Sequence, residues 1–295
     1  MKIFKFFKPF KLSPLYIVIA LIVLLAFLRL YPAGQKMEAE EKSFAMGTPL
    51  RVKVFGANAS ALAKAAIDEI KRLDKIFSRF DPESEVSLIN KNAAKSAQQV
   101  SPETMECIKI AVRVNQLSKG AFDITLGKPQ SLVVNEDLMQ VYLNEKSRID
   151  LGGIGKGYAV ESARRLLLKK GAKSGIIDMR SSIAVFGPRT WKIGIQHPRQ
   201  KEKLVGTIIL RNGQSLATSG DYERGKHILD PRTGKSSDLC QGVTIIGENA
   251  AEADALATAS FVLGPEDGID MLNGLKEIDG IIIDSNGQVI KSSAY

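Results

Sequence analysis

Asp254 and Thr258 lie four residues apart in "NAAEADALATASFVLG", which runs from Asn249 to Gly264. On a helix that spacing stacks them on one face, and Phe261 continues the face one turn further. A carboxylate in line with an aromatic is unusual on a solvated surface. If it is buried it needs a partner, because an unpaired ionised carboxylate in a low-dielectric interior costs several kcal/mol. A carboxylate beside a hydroxyl suits a hard cation such as Mg²⁺, which takes oxygen ligands and keeps positions open for phosphate oxygens. Taken alone, Asp254 has a plainer explanation: acids are favoured near helix N-termini by about 0.3–1 kcal/mol.

A second concentration of chemistry is "IDLGGIGKGYAVESARRLLLKKGAKSG", from Ile149 to Gly175. Glycines fill the gap between a strand end and a helix start, with Lys156 among them. Such a junction presents free backbone N–H groups and the positive end of a helix to an anion. It is not one of the two familiar phosphate signatures, since Lys156 precedes Gly157 rather than Ser or Thr, and the glycine spacing is GxGxG rather than GxGxxG. By pattern it is either a ligand cradle or a tight structural turn.

His227 is one of only two histidines. It precedes the Asp230-Pro231 and Thr233-Gly234 turn signals in "HILDPRTG" and follows the polar stretch "SLATSGDYERGK". A histidine there can act as a base near neutral pH, whereas His197 reads as a surface residue at a strand end. In "GAFDITLG" (Gly120 to Gly127), Phe122 and Asp123 sit in a glycine-bounded loop where an aromatic face and an acceptor could grip a ring, or where one buried Phe simply anchors a turn. "SRFDPESEVSLIN" (Ser78 to Asn90) reads as a similar loop at a helix exit, with Phe80 at its start.

The elements that must position these residues follow from periodicity and punctuation. Helices are expected over Ala61–Phe77, Pro102–Leu117, Lys156–Lys170, Ala250–Leu263 and Asp267–Leu275, the fourth capped by Asn249 and stopped by Gly264. Strands are expected over Leu50–Phe55, Ser174–Ile177, Ile183–Phe186, Lys192–Ile195, Gly206–Leu210, Val243–Ile246 and Gly280–Ile283, the last followed by a hairpin at the Asn-Gly of "DSNGQVI". Several consecutive strands between Ser174 and Ile246 have no helix between them. That argues for an α+β fold with much antiparallel pairing rather than a doubly wound parallel sheet.

The chain has 295 residues and a formal charge of +9. Pro14 to Tyr31, "PLYIVIALIVLLAFLRLY", is apolar except for Arg29, and at about 1.5 Å per residue it nearly crosses a hydrocarbon core of about 30 Å. Lys2, Lys5, Lys8 and Lys11 precede it without an acid, which puts the N-terminus in the cytoplasm and the body on the extracytoplasmic (periplasmic) side. No small-x-small cleavage site follows, so an uncleaved anchor over residues 1–31 is expected, then a linker over 32–43 and a domain over 44–295. Lys2, Lys5, Lys8, Lys11 and Arg29 carry five of the positive charges and leave +4 for the body. The basicity is thus a topology signal, and no stripe of Lys and Arg with aromatics points to nucleic acid. Cys107 and Cys240, the only cysteines, are too few for a disulfide framework or a zinc site and read as small buried hydrophobes.

Each reading is modest alone, but "MGTPLRVKVFG", "SRFDPESEVSLIN", "GAFDITLG", "DLGGIGKGYA", "LATSGDYER", "HILDPRTG" and "EADALATASFVLG" resemble, in this order, the FAD:protein FMN transferase (ApbE-like) family, from Met46 to Gly264. The resemblance implies a two-lobed α+β body with Mg²⁺-dependent activity. FAD is the substrate, FMN goes in phosphoester linkage to a Thr or Ser of an acceptor protein, and AMP departs. It implies Asp254, Thr258 and the Gly153 carbonyl as metal ligands, and Asp150 and Lys156 beside the dinucleotide. It also implies Met46, Phe80, Ala121, Phe122, Asp123 and Leu229 along the FAD site, with His227 as the base for the incoming hydroxyl. An acceptor in a flavin-carrying redox complex of the same membrane would fit. An FAD pyrophosphatase, releasing AMP and FMN, and a catalytically silent flavin-binding module share the same residues. There is one departure: after "GIIDM" the family usually shows a glycine pair, as in "NAGGDI" or "NLGGNI", where this chain has Arg180, Ser181 and Ser182 in "DMRSSI".

Overall fold

Side chains along the central strands alternate between two hydrophobic cores. β6 (Ser174–Asp178), β7 (Ser182–Phe186), β13 (Cys240–Gly247) and β14 (Asp279–Asp284) send Ile177, Ala184, Phe186, Val243, Ile245 and Ile282 into the larger core. Ile176, Ile183, Val185, Ile246 and Ile281 from the same strands enter the smaller one. The period of two thus demands a sheet covered on both faces. In the structure, a computed structural model, residues 18, 19, 21, 22, 37–144, 147–221, 225 and 227–293 are described.

The sheet has eight strands in the order β1-β2-β6-β7-β10-β13-β14-β15, where β1 is Glu38–Ala45, β2 Thr48–Phe55, β10 Ser215–Gly220 and β15 Val289–Lys291. Every neighbouring pair is antiparallel. One face is covered by α1 (Ala59–Phe77), α4 (Gly155–Lys169) and α5 (Ala250–Leu263). The other is covered by a hairpin of β8 (Trp191–Gln196) and β9 (Leu204–Leu210), which contributes Ile195, Ile208 and Leu210 to the smaller core. The chain also forms α2 (Glu85–Asn92), α3 (Pro102–Leu117) and α6 (Pro265–Asn273), a three-stranded sheet of β3 (Gln98–Gln99), β4 (Leu132–Asn135) and β5 (Gln140–Leu143), and a small hairpin of β11 (Leu229–Asp230) and β12 (Lys235–Ser236).

The α+β fold with antiparallel sheets is as the sequence predicts, and α3 and α5 begin and end at the expected residues. Three expectations need correction. Residues 37–295 form one compact unit rather than two lobes, because a single sheet carries both cores. The linker expected over 32–43 is already strand from Glu38. Its polar residues pair in full register with β2 through Met46 and Gly47, whose φ values of 49° and 71° are those of a tight hairpin turn. The supposed helix-exit loop at Ser78 to Asn90 contains α2, capped where Ser84 Oγ accepts the Ser87 N–H at 3.0 Å. The polar stretch that starts at Ser215, over which no strand is expected from the sequence, begins as the interior strand β10. The anchor expected over 14–31 lies outside the described residues except for Val18, Ile19, Leu21 and Ile22, which are helical. Among the described residues no helix is long and apolar enough to cross a membrane.

Candidate active site

The site is assembled where the first turn of α4 lies on α5. Eleven of the fourteen residues of α5 are buried, so this helix has no wet face, and its many alanines let neighbouring backbones come close. Gly157 makes the closest approach: a Cβ there would stand 2.2 Å from the Ala250 carbonyl oxygen and 2.6 Å from Asp254 Cβ. Only glycine fits that crossing. It leaves the Gly157 N–H, one of the unpaired donors at the start of α4, to donate to Asp254 Oδ2 at 2.9 Å.

A buried ion pair fixes the crossing one turn further on. Glu161 and Arg164, with side chains only 6% and 9% exposed, meet at 2.6 Å. Glu161 Oε2 also accepts the Ala250 N–H at 3.3 Å, while Arg164 donates to the carbonyls of Gly213 and Glu248. Removing Glu161 would strand the buried Arg164 charge at a cost of about 3–5 kcal/mol, so the start of α5 is held firmly against α4.

Asp254 itself is 3% exposed. Burial pushes its carboxyl above the usual carboxylate range, opposed by the charge of Lys156, the Gly157 N–H and the nearby Ser182 hydroxyl. Among the described residues no cation closes an ion pair with it, and the Gly157 N–H is the one hydrogen bond its carboxylate receives. The Ser182 hydroxyl, although near enough to favour the charged form, does not reach hydrogen-bond geometry.

One turn along α5, Thr258 Oγ1 lies 3.1 Å from Ser219 Oγ on β10 and donates to the Asp254 carbonyl at 3.3 Å. Gly153 stands beside it: an added Cβ would be 3.5 Å from Thr258 Oγ1 and 2.9 Å from the Phe122 ring. Asp254, Thr258, Gly153 and Lys156 therefore stand near one another, brought together from segments about a hundred residues apart. Among the described residues no group of three His, Cys, Asp or Glu side chains could hold a metal, so a cation here would rest on one carboxylate, a hydroxyl and backbone oxygen. That donor set is hard and oxygen-only, and a buried carboxylate short of countercharge fits a divalent cation such as Mg²⁺.

The other residues that the family resemblance implies for the FAD site lie on several separate segments. Asp150 accepts the Gly152 N–H at 2.9 Å and pairs with Arg79 at 2.9 Å, while its own N–H donates to the Ile124 carbonyl at 2.7 Å. Arg79 lies over the ring of Phe80 at 4.7 Å, and Phe80 is 82% exposed, ready to offer its other face. Ala121 and Phe122 are buried. The Asp123 carboxylate closes its own loop, accepting from Thr125 N at 2.8 Å, Thr125 Oγ1 at 2.7 Å and Gly127 N at 2.8 Å. Gly127, at φ 100°, brings this loop onto the β11–β12 hairpin, where a Cβ would stand 2.3 Å from the Pro231 carbonyl oxygen. That hairpin carries Leu229, which is 48% exposed. Met46 donates its N–H to Asp74 at 2.8 Å and packs against the larger core.

His227 is exposed and sits where the chain enters β11. Its Nδ1 lies 2.9 Å from the Gly225 carbonyl; a carbonyl only accepts, so Nδ1 carries the proton and Nε2 of the neutral ring is left as an acceptor. That tautomer suits a base. Sequence reading missed Arg79, Ser219 and the Glu161–Arg164 pair, whose roles arise from contacts between remote segments.

The arrangement of sheet, buried helix and glycine-rich turn sits within a fold shared with solved structures. The chain superposes on the ApbE protein of Thermotoga maritima MSB8 with a TM-score of 0.80 and 30% identity, covering 87% of this chain and 97% of that one. The flavin transferase ApbE from Vibrio cholerae, at 22% identity, shares the fold with a TM-score of 0.78 over 88% of this chain and 98% of its own. The model of the ApbE family matches residues 46–140 and 129–282, and the chain belongs to that family. Relatives include an FAD:protein FMN transferase of Klebsiella pneumoniae, 29% identical over 287 residues that span 84% of this chain and 90% of the relative. One from Escherichia coli K12 is 27% identical over 270 residues, spanning 75% and 77%.

Proposed function

We propose that this protein is an FAD:protein FMN transferase that works with a divalent cation, Mg²⁺, held by Asp254, Thr258 and the Gly153 carbonyl. The observation that carries the cation is the buried Asp254 carboxylate with, among the described residues, one hydrogen bond and no paired cation. When bound, Mg²⁺ would neutralise charge on the pyrophosphate oxygens of FAD. The chain's own residues do the rest. Lys156, at the start of α4, adds positive charge beside Asp254. Phe80 and Leu229 offer apolar surface at the rim, and Phe122 backs the glycine turn. Nε2 of His227 takes the proton of an acceptor Thr or Ser hydroxyl as its oxygen bonds to the FMN phosphorus. The bond from that phosphorus to the bridging oxygen breaks, and AMP leaves.

Incubating the full chain with FAD, MgCl₂ and an acceptor domain bearing an exposed Thr tests this. The acceptor should gain the mass of one FMN, less water, with one AMP released per modification. AMP with free FMN and an unmodified acceptor would instead show hydrolysis, and intact bound FAD would show a binding module.

We also propose that residues 14–31 anchor the protein in the cytoplasmic membrane with the body outside, where the acceptor belongs to a flavin-carrying redox complex. The apolar run and the four preceding lysines support this. A phosphatase active only outside the cytoplasm, fused after Tyr295, should be active in cells, and a silent but intact fusion would reverse the topology.

A further inference from the structure

Beneath α5 the sheet presents two serines whose places follow from strand parity. Ala184 and Phe186 of β7 enter the larger core on the α5 side, so Ser182, two residues before Ala184, faces the same way. Ala217 of β10 also enters that core and is the direct partner of Ser182 in the β7–β10 ladder, which puts Ser219 on the same face one diagonal step away. α5 packs on both strands. Ser219 meets Thr258 at 3.1 Å. Ser182 lies near enough to the carboxylate of the other proposed ligand, Asp254, to favour its charged form. It is 0% exposed, and among the described residues its Oγ has no hydrogen-bond partner.

A fully buried hydroxyl with nothing to bond is uncommon and calls for an explanation. Here the neighbouring carboxylate supplies one. We propose that Ser182 is a positioning residue for the cation site: its Oγ–H donates to the Asp254 carboxylate when that group faces a bound divalent cation, and so fixes which oxygen the cation receives. The two serines then play matching parts, Ser219 holding the Thr258 hydroxyl and Ser182 holding the carboxylate. Outer partners of this kind orient metal ligands, and their loss typically weakens metal binding by about 10- to 100-fold. The inference rests on Asp254 and Thr258 being cation ligands.

The test is thermal unfolding of the full chain during an MgCl₂ titration, comparing the native protein with Ser182→Ala and Ser182→Thr. Binding to the folded state raises Tm with cation concentration, so the midpoint of the rise reads affinity without turnover. For Ser182→Ala, the cation-free Tm should equal or exceed the native value, because the lost hydroxyl had no partner. Its Mg²⁺ midpoint should rise about 10- to 100-fold. Ser182→Thr, which keeps the hydroxyl, should retain a midpoint near the native one. In FMN transfer, Ser182→Ala should raise the Mg²⁺ requirement and leave kcat at saturating Mg²⁺ within about twofold. A native midpoint in Ser182→Ala, or a lowered cation-free Tm showing a purely structural hydroxyl, would overturn the assignment. A native protein whose Tm ignores Mg²⁺ would overturn the cation site itself, and Ser182 with it.

Discussion

Asp254→Ala should reduce FMN transfer by more than about 10³-fold, because several kcal/mol of transition-state charge stabilisation would go with the proposed cation, at about 1.4 kcal/mol per tenfold. The fold should survive. The carboxylate is buried, raised above its usual ionisation range and supported by a single hydrogen bond, so its removal also relieves an uncompensated charge. What is lost is the partner of the Gly157 N–H and a few packed atoms. Leaving one buried donor unmade costs about 1–3 kcal/mol, and the relieved desolvation offsets part of it. Denaturant unfolding without Mg²⁺ should therefore place the variant within about 2 kcal/mol of native, within the scale of ordinary substitutions. Transfer at a near-native rate in saturating Mg²⁺ would remove Asp254 from the site.

His227→Ala has the opposite profile. A positioned base contributes about 10²- to 10⁴-fold, and the variant should lose transfer by that amount. Its stability should change by less than about 0.5 kcal/mol, since His227 is exposed. The Mg²⁺-induced rise in Tm should be untouched, because that response depends on α5 and the glycine turn. Together the two variants separate the roles: one loses both cation response and transfer, the other only transfer. A His227→Ala protein that transfers FMN at the native rate would place the base elsewhere.

Much of this was legible along the chain, and the exceptions share a cause. α5 was readable residue by residue because its ends are written locally: Asn249 accepts the N–H groups of Ala251 and Glu252, and Gly264 turns the chain at φ 84°. The central strands were readable because each runs between two cores. β1 was not, since "EAEEKSFA" has no apolar alternation and is a strand only because β2 pairs with it. β10 was hidden by its small hydroxyl residues, which look like a loop until Thr218 is seen bonded to Thr244 at 3.0 Å and Ser219 to Thr258 at 3.1 Å. The proposed ligands lay within recognisable motifs. Their supports, Ser182, Ser219, Arg79 and Glu161, lay on other elements, and only the fold shows what stands next to what.

The absence of a wet face on α5 limits how this protein can diverge. Nearly every position on that helix touches packed neighbours, so a change large enough to reshape ligand preference would first cost stability on the order of 1–3 kcal/mol through overpacking. The proposed rim is different: Phe80 and Leu229 are exposed on segments with room to vary. Descendants of this chain that take a new nucleotide or a new protein target should therefore carry their changes around the mouth of the site and keep its floor as it is.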